Sequence, residues 1–97
     1  MIDGKYTAFG NMAGNPVPCM VNLHTDGSKL TGTAFFMGAM KEIEYGTVTG
    51  NDFRFYTWVT IPIGNIFVKF KGTAADGKIQ FSVKTPMGEV VFNGQRD

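Results

Sequence analysis

The sequence contains one cysteine, Cys19, and one histidine, His24, among 97 residues. A single cysteine excludes an intramolecular disulfide, and it leaves no cysteine–histidine cluster to hold a metal ion. Secreted domains of this length usually depend on several disulfides, so the composition favours a reducing compartment. The segment from Met1 to Lys5 also lacks the basic and then apolar pattern of a signal peptide. We therefore expect a cytoplasmic protein with no metal and no other cofactor.

The sequence also lacks an excess of charge of either sign. Nine Lys and Arg against eight Asp and Glu give a net charge of +1, which provides no general attraction to nucleic acid or to an anionic membrane. No segment is apolar for long enough to cross a bilayer as a helix. We expect one domain, residues 1–97, that binds neither nucleic acid nor membrane, and the hydrophobic fraction of 43 % excludes intrinsic disorder.

Turn-forming residues are abundant and regularly spaced. Asp-Gly pairs favour tight turns because Gly accepts a positive φ and Asp bonds to its own backbone. Polar turn signals recur every 25 residues, at Asp26-Gly27, Asn51-Asp52 and Asp76-Gly77. A second, more apolar series lies between them, at Asn15-Pro16, Gly38, Ile61-Pro62 and Thr85-Pro86. Together they predict eight strands: 5–11, 17–25, 29–36, 41–49, 52–61, 65–74, 78–85 and 88–94.

Apolar and polar residues alternate within these segments, as they do in strands with one buried face. The fourth segment is the exception, because Ile43 and Tyr45 are out of phase with Gly46 and Val48. A β-bulge near Gly46 would restore the phase. The main alternative is local: residues 34–42 contain good helix formers and could make two helical turns.

Folding each hairpin about its turn predicts which residues lie opposite each other. The pairs include Leu23 with Leu30, Ala34 with Ile43, Phe55 with Gly72, Gly72 with Phe81 and Phe81 with Phe92. Apolar residues meet apolar residues in nearly every pair, which supports the assignment because a slip of one residue would reverse the faces.

These features predict an all-β protein, an eight-stranded antiparallel up-and-down meander. Such a meander can close on itself or split into a flattened sandwich. Closure removes the exposed edge strands, and eight strands suit a small barrel, so we expect a closed barrel. Side chains alone can fill a barrel of this size, so a solid core and a cavity both stay open.

Both ends of the chain resemble the calycin (lipocalin-like) pattern. In that family Gly-x-Trp opens the first strand, and a basic residue near the last strand packs across the aromatic ring. Here Gly4-Lys5-Tyr6 opens the first strand, with Tyr in place of Trp, and Arg96 follows the last strand. Streptavidin-like barrels share the meander. The resemblance implies that an apolar small molecule binds inside the barrel.

Strand direction alternates in a meander, so the apolar turns gather at one end of the barrel. Exposed loops are normally polar, so this end is either a ligand mouth, a subunit contact or a plug for the core. Together with two side chains predicted to point inward, its residues form the predicted ligand site: Met12, Met37, Met40, Ile63, Met87, Tyr45 and Phe55.

An aromatic patch is predicted on the outer wall, at Tyr56, Trp58 and Phe67, with Trp58 beside Lys69 and Lys84. Aromatic and basic side chains together resemble a surface that stacks bases and binds phosphates. The net charge favours a subunit interface instead, so we expect a homo-oligomer.

No arrangement of catalytic residues stands out. Cys19 falls on the inward face without a neighbouring base, and Glu42 and Glu44 fit a solvated strand face. The sequence thus favours a non-catalytic barrel that binds an apolar small molecule. The alternative is an oligomeric interaction module or an accessory subunit of a larger enzyme, and an enzyme in its own right comes third.

Overall fold

The computed structural model describes residues 2–86 and 88–97, and all regular structure within them is extended. No helix that is long and apolar enough to cross a membrane occurs in these residues. The strands are β1 (Gly4–Met12), β2 (Asn15–Asp26), β3 (Lys29–Phe36), β4 (Ala39–Glu42), β5 (Glu44–Thr49), β6 (Asp52–Ile61), β7 (Gly64–Ala75), β8 (Lys78–Thr85) and β9 (Gly88–Arg96).

The strands form one closed antiparallel barrel. Successive strands pair along the chain, except that β4 and β5 both pair with β3, and β9 pairs with β1, so the sheet returns on itself. Only Ile43 separates β4 from β5, and both pair with β3, so they are two halves of one interrupted strand. The prediction of an eight-stranded closed meander is confirmed. The helical alternative for residues 34–42 is wrong, since this segment forms the end of β3, a turn and β4.

The interruption is the bulge expected near Gly46. Thr33 and Leu30, three residues apart on β3, pair with Glu42 and Gly46, which are four residues apart. The extra residue leaves Tyr45 with a φ of 52° and a side chain that is 76 % exposed. The inward orientation predicted for Tyr45 is therefore wrong, because the bulge turns this side chain outward.

The predicted register is right in part of the barrel and displaced by two residues elsewhere. Gly72 lies opposite Phe81, and Phe81 lies opposite Phe92, as predicted. Leu23, however, pairs with Gly32, and Phe55 pairs with Phe70. In these two hairpins the centre of the turn lies one residue away from its predicted position. Because the displacement is two residues, the predicted faces are preserved.

Phenylalanine rings fill the middle of the barrel. Phe55 stacks on Phe70 with ring centroids 4.7 Å apart, and Phe81 stacks on Phe92 at 5.2 Å. Phe36 meets Phe70 edge-on at 5.8 Å. These rings are almost completely buried, so this part of the barrel has the dense packing of a protein core.

The N-terminal end of β1 is held by a contact between the two chain termini. The Tyr6 hydroxyl donates a hydrogen bond to the Ile2 carbonyl at 2.9 Å and accepts one from Arg96 Nη2 at 3.0 Å. The Arg96 guanidinium carbon also lies 5.4 Å from the centre of the Tyr6 ring. A basic residue of the last strand therefore packs on the aromatic residue of the first, as the resemblance implies.

Gly72 provides the space for this aromatic packing, and its replacement tests the packing. A Cβ atom at this position would lie 2.1 Å from the Gln80 carbonyl oxygen and 2.5 Å from Phe81 Cβ. We expect Gly72→Ala to lower the free energy of unfolding by at least about 2 kcal/mol in urea denaturation, because the backbones of β7 and β8 must separate. Thr73→Ala, at the exposed neighbouring position, should change it by less than about 1 kcal/mol. Equal stability of the two variants would contradict the register.

Candidate functional site: an apolar cavity at the Met/Pro end

Four short connections meet at one end of the barrel, which we call the Met/Pro end. The residue pairs that close them are Met12 with Asn15, Phe36 with Ala39, Ile61 with Gly64, and Thr85 with Gly88. Each pair leaves two residues for the turn. The three turns that lie wholly within the described residues are therefore tight hairpin turns without longer loops.

Two of these turns have apolar residues in the left-handed backbone region. Ala13 and Met37 have φ values of 53° and 56°, and each precedes a glycine that also has a positive φ. Hairpin turns with two positive φ values favour Asn, Asp or Gly at the first position. A residue with an ordinary side chain costs about 1 kcal/mol there. Met37 thus occupies a position where its backbone is strained, and its side chain faces the barrel mouth.

An apolar cavity of about 260 Å³ opens between these turns. Its wall is formed by inward residues at the ends of the strands and by the turns above them. The lining residues are Met12, Phe36, Met37, Val59, Ile61, Pro62, Ile63, Ile66, Val68, Thr85 and Pro86. Thr85 is the polar member, and its hydroxyl donates a hydrogen bond to the Gly88 carbonyl at 2.9 Å. The cavity therefore offers contact area and little polar recognition.

The structure brings three of the predicted ligand residues together. Met12, Met37 and Ile63 all line the cavity, although they come from three different hairpins. Phe55 lies in the aromatic core and is not part of the lining. Met87 lies outside the described residues.

Two other predicted ligand residues face outward. Met40 is 65 % exposed and pairs with Phe35 on the outer wall. Phe35 points outward because Ala34 and Phe36, its neighbours on β3, point inward, and Met40 lies opposite Phe35 on the same face. Tyr45 is turned outward by the bulge. The sequence interpretation placed Met40 at the mouth because it took nearness to a turn as nearness to the interior, and it included Tyr45 as an inward side chain.

The greater part of the lining was missed by the sequence interpretation. Val59, Ile61, Ile66 and Val68 face inward on β6 and β7, just below the Pro62-Ile63 turn. Their alternation was recognised as a strand signal, and it shows which side chains point inward. The alternation does not show that the phenylalanine side chains of the core leave space at the Met/Pro end. The sequence left open whether the barrel has a solid core or a cavity. The structure contains both, because the middle of the barrel is filled and the Met/Pro end is hollow.

The outer wall carries four aromatic side chains in mutual contact, Tyr45, Tyr56, Trp58 and Phe67, which we call the outer aromatic cluster. Tyr56 stacks on Phe67 with centroids 5.2 Å apart and an interplanar angle of 9°, and Trp58 lies 4.8 Å from Phe67. Tyr45 meets both Tyr56 and Phe67 edge-on.

The predicted neighbours of this cluster need correction. Trp58 pairs with Phe67, and Lys69 pairs with Tyr56 and with Lys84. Trp58 therefore does not lie directly opposite either lysine, because the β6–β7 register differs by two residues from the predicted one.

The titratable groups lie away from the cavity. Cys19 is fully buried, and burial raises the pKa of its thiol to about 12. At the opposite end, hydrogen bonds from the Thr25 hydroxyl and amide lower the pKa of Asp3, with a smaller contribution from His24, whose Nδ1 lies 3.4 Å from the carboxylate. Among the described residues, no group of three His, Cys, Asp or Glu side chains could hold a metal ion.

No protein-family model matches this chain. No curated protein matches it either.

The buried thiol predicts a pH dependence of stability. Above about pH 9 the unfolded chain releases the Cys19 proton, whereas the folded chain keeps it because its pKa is about 12. The free energy of unfolding should therefore fall by up to about 1.4 kcal/mol per pH unit from this group. Urea denaturation between pH 8.5 and 10.5 measures the slope, and Cys19→Ala should reduce it. Parallel profiles for the two proteins would show that the thiol is not buried as described.

Proposed function

We propose that the barrel binds an apolar small molecule in the cavity at the Met/Pro end. The observation that carries this proposal is the cavity itself, about 260 Å³ of space surrounded by apolar side chains from several hairpins. Enclosed apolar cavities in proteins bind apolar molecules, and an apolar pocket that opens to solvent binds them by releasing poorly held water. Methionines at the mouth, Met12 and Met37, have flexible side chains that adapt to ligands of different shape.

The volume limits the size of the ligand. An engineered apolar cavity of about 150 Å³ holds one benzene molecule, so a cavity of 260 Å³ holds roughly ten non-hydrogen atoms. Burial of each CH₂ group contributes about 0.8 kcal/mol. Burial of roughly ten carbons therefore contributes about 8 kcal/mol, which corresponds to a dissociation constant on the order of micromolar before ordering costs and to weaker binding once they are included.

The ends of the chain support the same function. Arg96 packs on Tyr6 as the basic and aromatic residues do in the calycin pattern. We infer that this barrel is calycin-like, and ligand binding inside the barrel is what that likeness implies. The cytoplasmic location expected from the single cysteine stays a prediction, as does the absence of catalysis.

A series of straight-chain primary alcohols tests the proposed ligand site. From six carbons upward, isothermal titration calorimetry should show affinity increasing about fourfold per added CH₂. The increase should stop near ten carbons, where the cavity is full.

Two charge variants make the same test specific to the cavity. Met12→Glu puts a charge in the lining and should abolish binding, whereas Met40→Glu puts the same charge on the outer wall and should leave binding unchanged. Circular dichroism establishes that both variants keep the β fold. If no alcohol in the series binds the parent protein, the proposed function is wrong.

The strained turn at Met37 makes stability and binding respond in opposite directions. Met37→Asn suits the positive φ and should raise the free energy of unfolding by about 0.5–1 kcal/mol. It also removes apolar contact at the mouth and should weaken decanol binding several-fold. Ala13→Asn is the matched control, because Ala13 has the same backbone conformation without lining the cavity. It should raise stability and leave affinity unchanged. Lower stability of both variants would contradict the turn assignment.

The second candidate function, an oligomeric interaction module or accessory subunit, is supported by a different surface. In the outer aromatic cluster, Tyr45 is 76 % exposed, Trp58 46 % and Phe67 39 %. Aromatic residues in contact on an exposed sheet face are typical of protein interfaces. The two candidate functions use separate surfaces and are compatible with each other.

A further inference from the structure

The outer aromatic cluster lies between an acidic edge and a basic edge. One row of residues across the sheet runs from Glu44 on β5 through Tyr56 on β6 to Lys69 on β7 and Lys84 on β8. Glu42 lies further along the acidic side, on β4. Negative charge, an aromatic ring and positive charge therefore follow one another from β5 to β8, and the row continues to Glu89 on β9, opposite Lys84.

Glu89 on β9 lies opposite Lys84, whereas the charged cross-strand neighbours of Arg54, Lys69 and Lys71 are all basic. Lys69 lies directly opposite Lys84, and Arg54 lies directly opposite Lys71. Like charges in opposite positions destabilise a sheet. Within residues 2–86 and 88–97, the ion pair formed is that of His24 with Asp3, and none of these four cations takes part in one. An external negative group would offset their repulsion.

A second copy of the chain supplies that negative group through symmetry. In a two-fold dimer each contact occurs twice, with the two partners exchanged. If the axis lies between the two faces and runs parallel to β6, the β5 strand of one copy lies over the β7 strand of the other. Glu44 then faces Lys69 of the second copy, and the reverse contact forms at the same time. The aromatic cluster lies on the axis, and Arg54 lies further along β6, toward the end of the barrel opposite the Met/Pro end, where it faces Arg54 of the second copy.

We propose that this face is the interface of a homodimer, with the outer aromatic clusters packed together and the acidic edge of each copy on the basic edge of the other. The face spans the strands from β5 to β8, four strands in width, and β6 is ten residues long. At strand spacings of about 4.8 Å and a rise of about 3.3 Å per residue, its projected area is roughly 500–600 Å². This projection is smaller than the roughly 800 Å² per partner that a stable dimer of standard size buries. The side chains make the real surface rougher, and therefore larger, than the projection.

The same surface is less suited to a nucleic acid. Tyr56 and Phe67 stack on each other at 5.2 Å, so these two ring faces are occupied and not free for bases. The carboxylates of Glu42 and Glu44 would also repel phosphates along one edge. The charge order across the row thus favours a self-complementary protein partner.

Charge reversal tests the interface with two double variants. Glu42→Lys with Glu44→Lys makes both edges basic, and Lys69→Glu with Lys84→Glu makes both edges acidic. By sedimentation velocity, the parent should be a dimer, and each double variant should dissociate at least tenfold more readily. An equimolar mixture of the two should again form dimers, because the edges of the two variants are complementary. Lys78→Glu, on β8 near the opposite end of the barrel, is the control and should dimerise like the parent.

Several outcomes would overturn the proposal. A parent protein that is monomeric at all concentrations excludes the dimer, as does a parent dimer that neither double variant weakens. Failure of the mixture to restore dimers excludes the pairing of opposite edges. A monomeric parent that binds a single-stranded oligonucleotide, with binding lost in the Lys69→Glu, Lys84→Glu variant, identifies the face as a nucleic-acid surface instead. None of these outcomes affects alcohol binding in the cavity, so the two proposals fail separately.

Discussion

The pairing of β1 with β9 is the contact on which the rest of this structure depends. It joins the first strand to the last, from Tyr6 with Arg96 to Phe9 with Asn93. The backbone amide of Asp97 extends it with a hydrogen bond to the Lys5 carbonyl at 2.8 Å. Without this pairing the sheet would have two open edges, and its apolar face could not enclose an interior. Both the aromatic core and the cavity exist because the ends of the chain meet.

The interior is divided by the distribution of large and small inward residues. Phenylalanines dominate the middle, and Gly72 lets β8 approach so that Phe53 and Phe81 fit beside it. Toward the Met/Pro end the inward positions carry Val59, Ile61, Ile66 and Val68 instead. These smaller side chains do not reach across the barrel. The cavity is thus the space left where aromatic side chains give way to aliphatic ones.

Much of the fold could be predicted from the sequence because strand alternation and turn signals are local properties. The register of β8 against β9 followed from the match of Phe81 with Phe92, and the bulge followed from the change of phase near Gly46. The two-residue displacements at the other hairpins arose because Gly27 and Gly64 fit more than one position of a turn. The same bulge reversed Tyr45, since a single extra residue changes which face a side chain joins.

The candidate site was less predictable than the fold. Met12, Met37 and Ile63 were identified because apolar turn residues are unusual in any exposed loop. Met40 was misplaced because the residues that face inward after a turn depend on the exact position of that turn, which the local pattern does not show. The cavity depends on side-chain volumes summed over several hairpins, and no local pattern in the sequence reports that sum.

The two-residue turns at the rim have a consequence for how fast a ligand can exchange. Turns of two residues provide no flexible loop that could open as a lid. Lid opening takes microseconds to milliseconds in many binding proteins. Rotation of side chains such as Met37 and Ile63 is the motion that remains, and for exposed side chains it takes picoseconds to nanoseconds. Access is therefore selective for cross-section: a slender chain can pass end first between the side chains, whereas a broad ring system would have to break strand pairs.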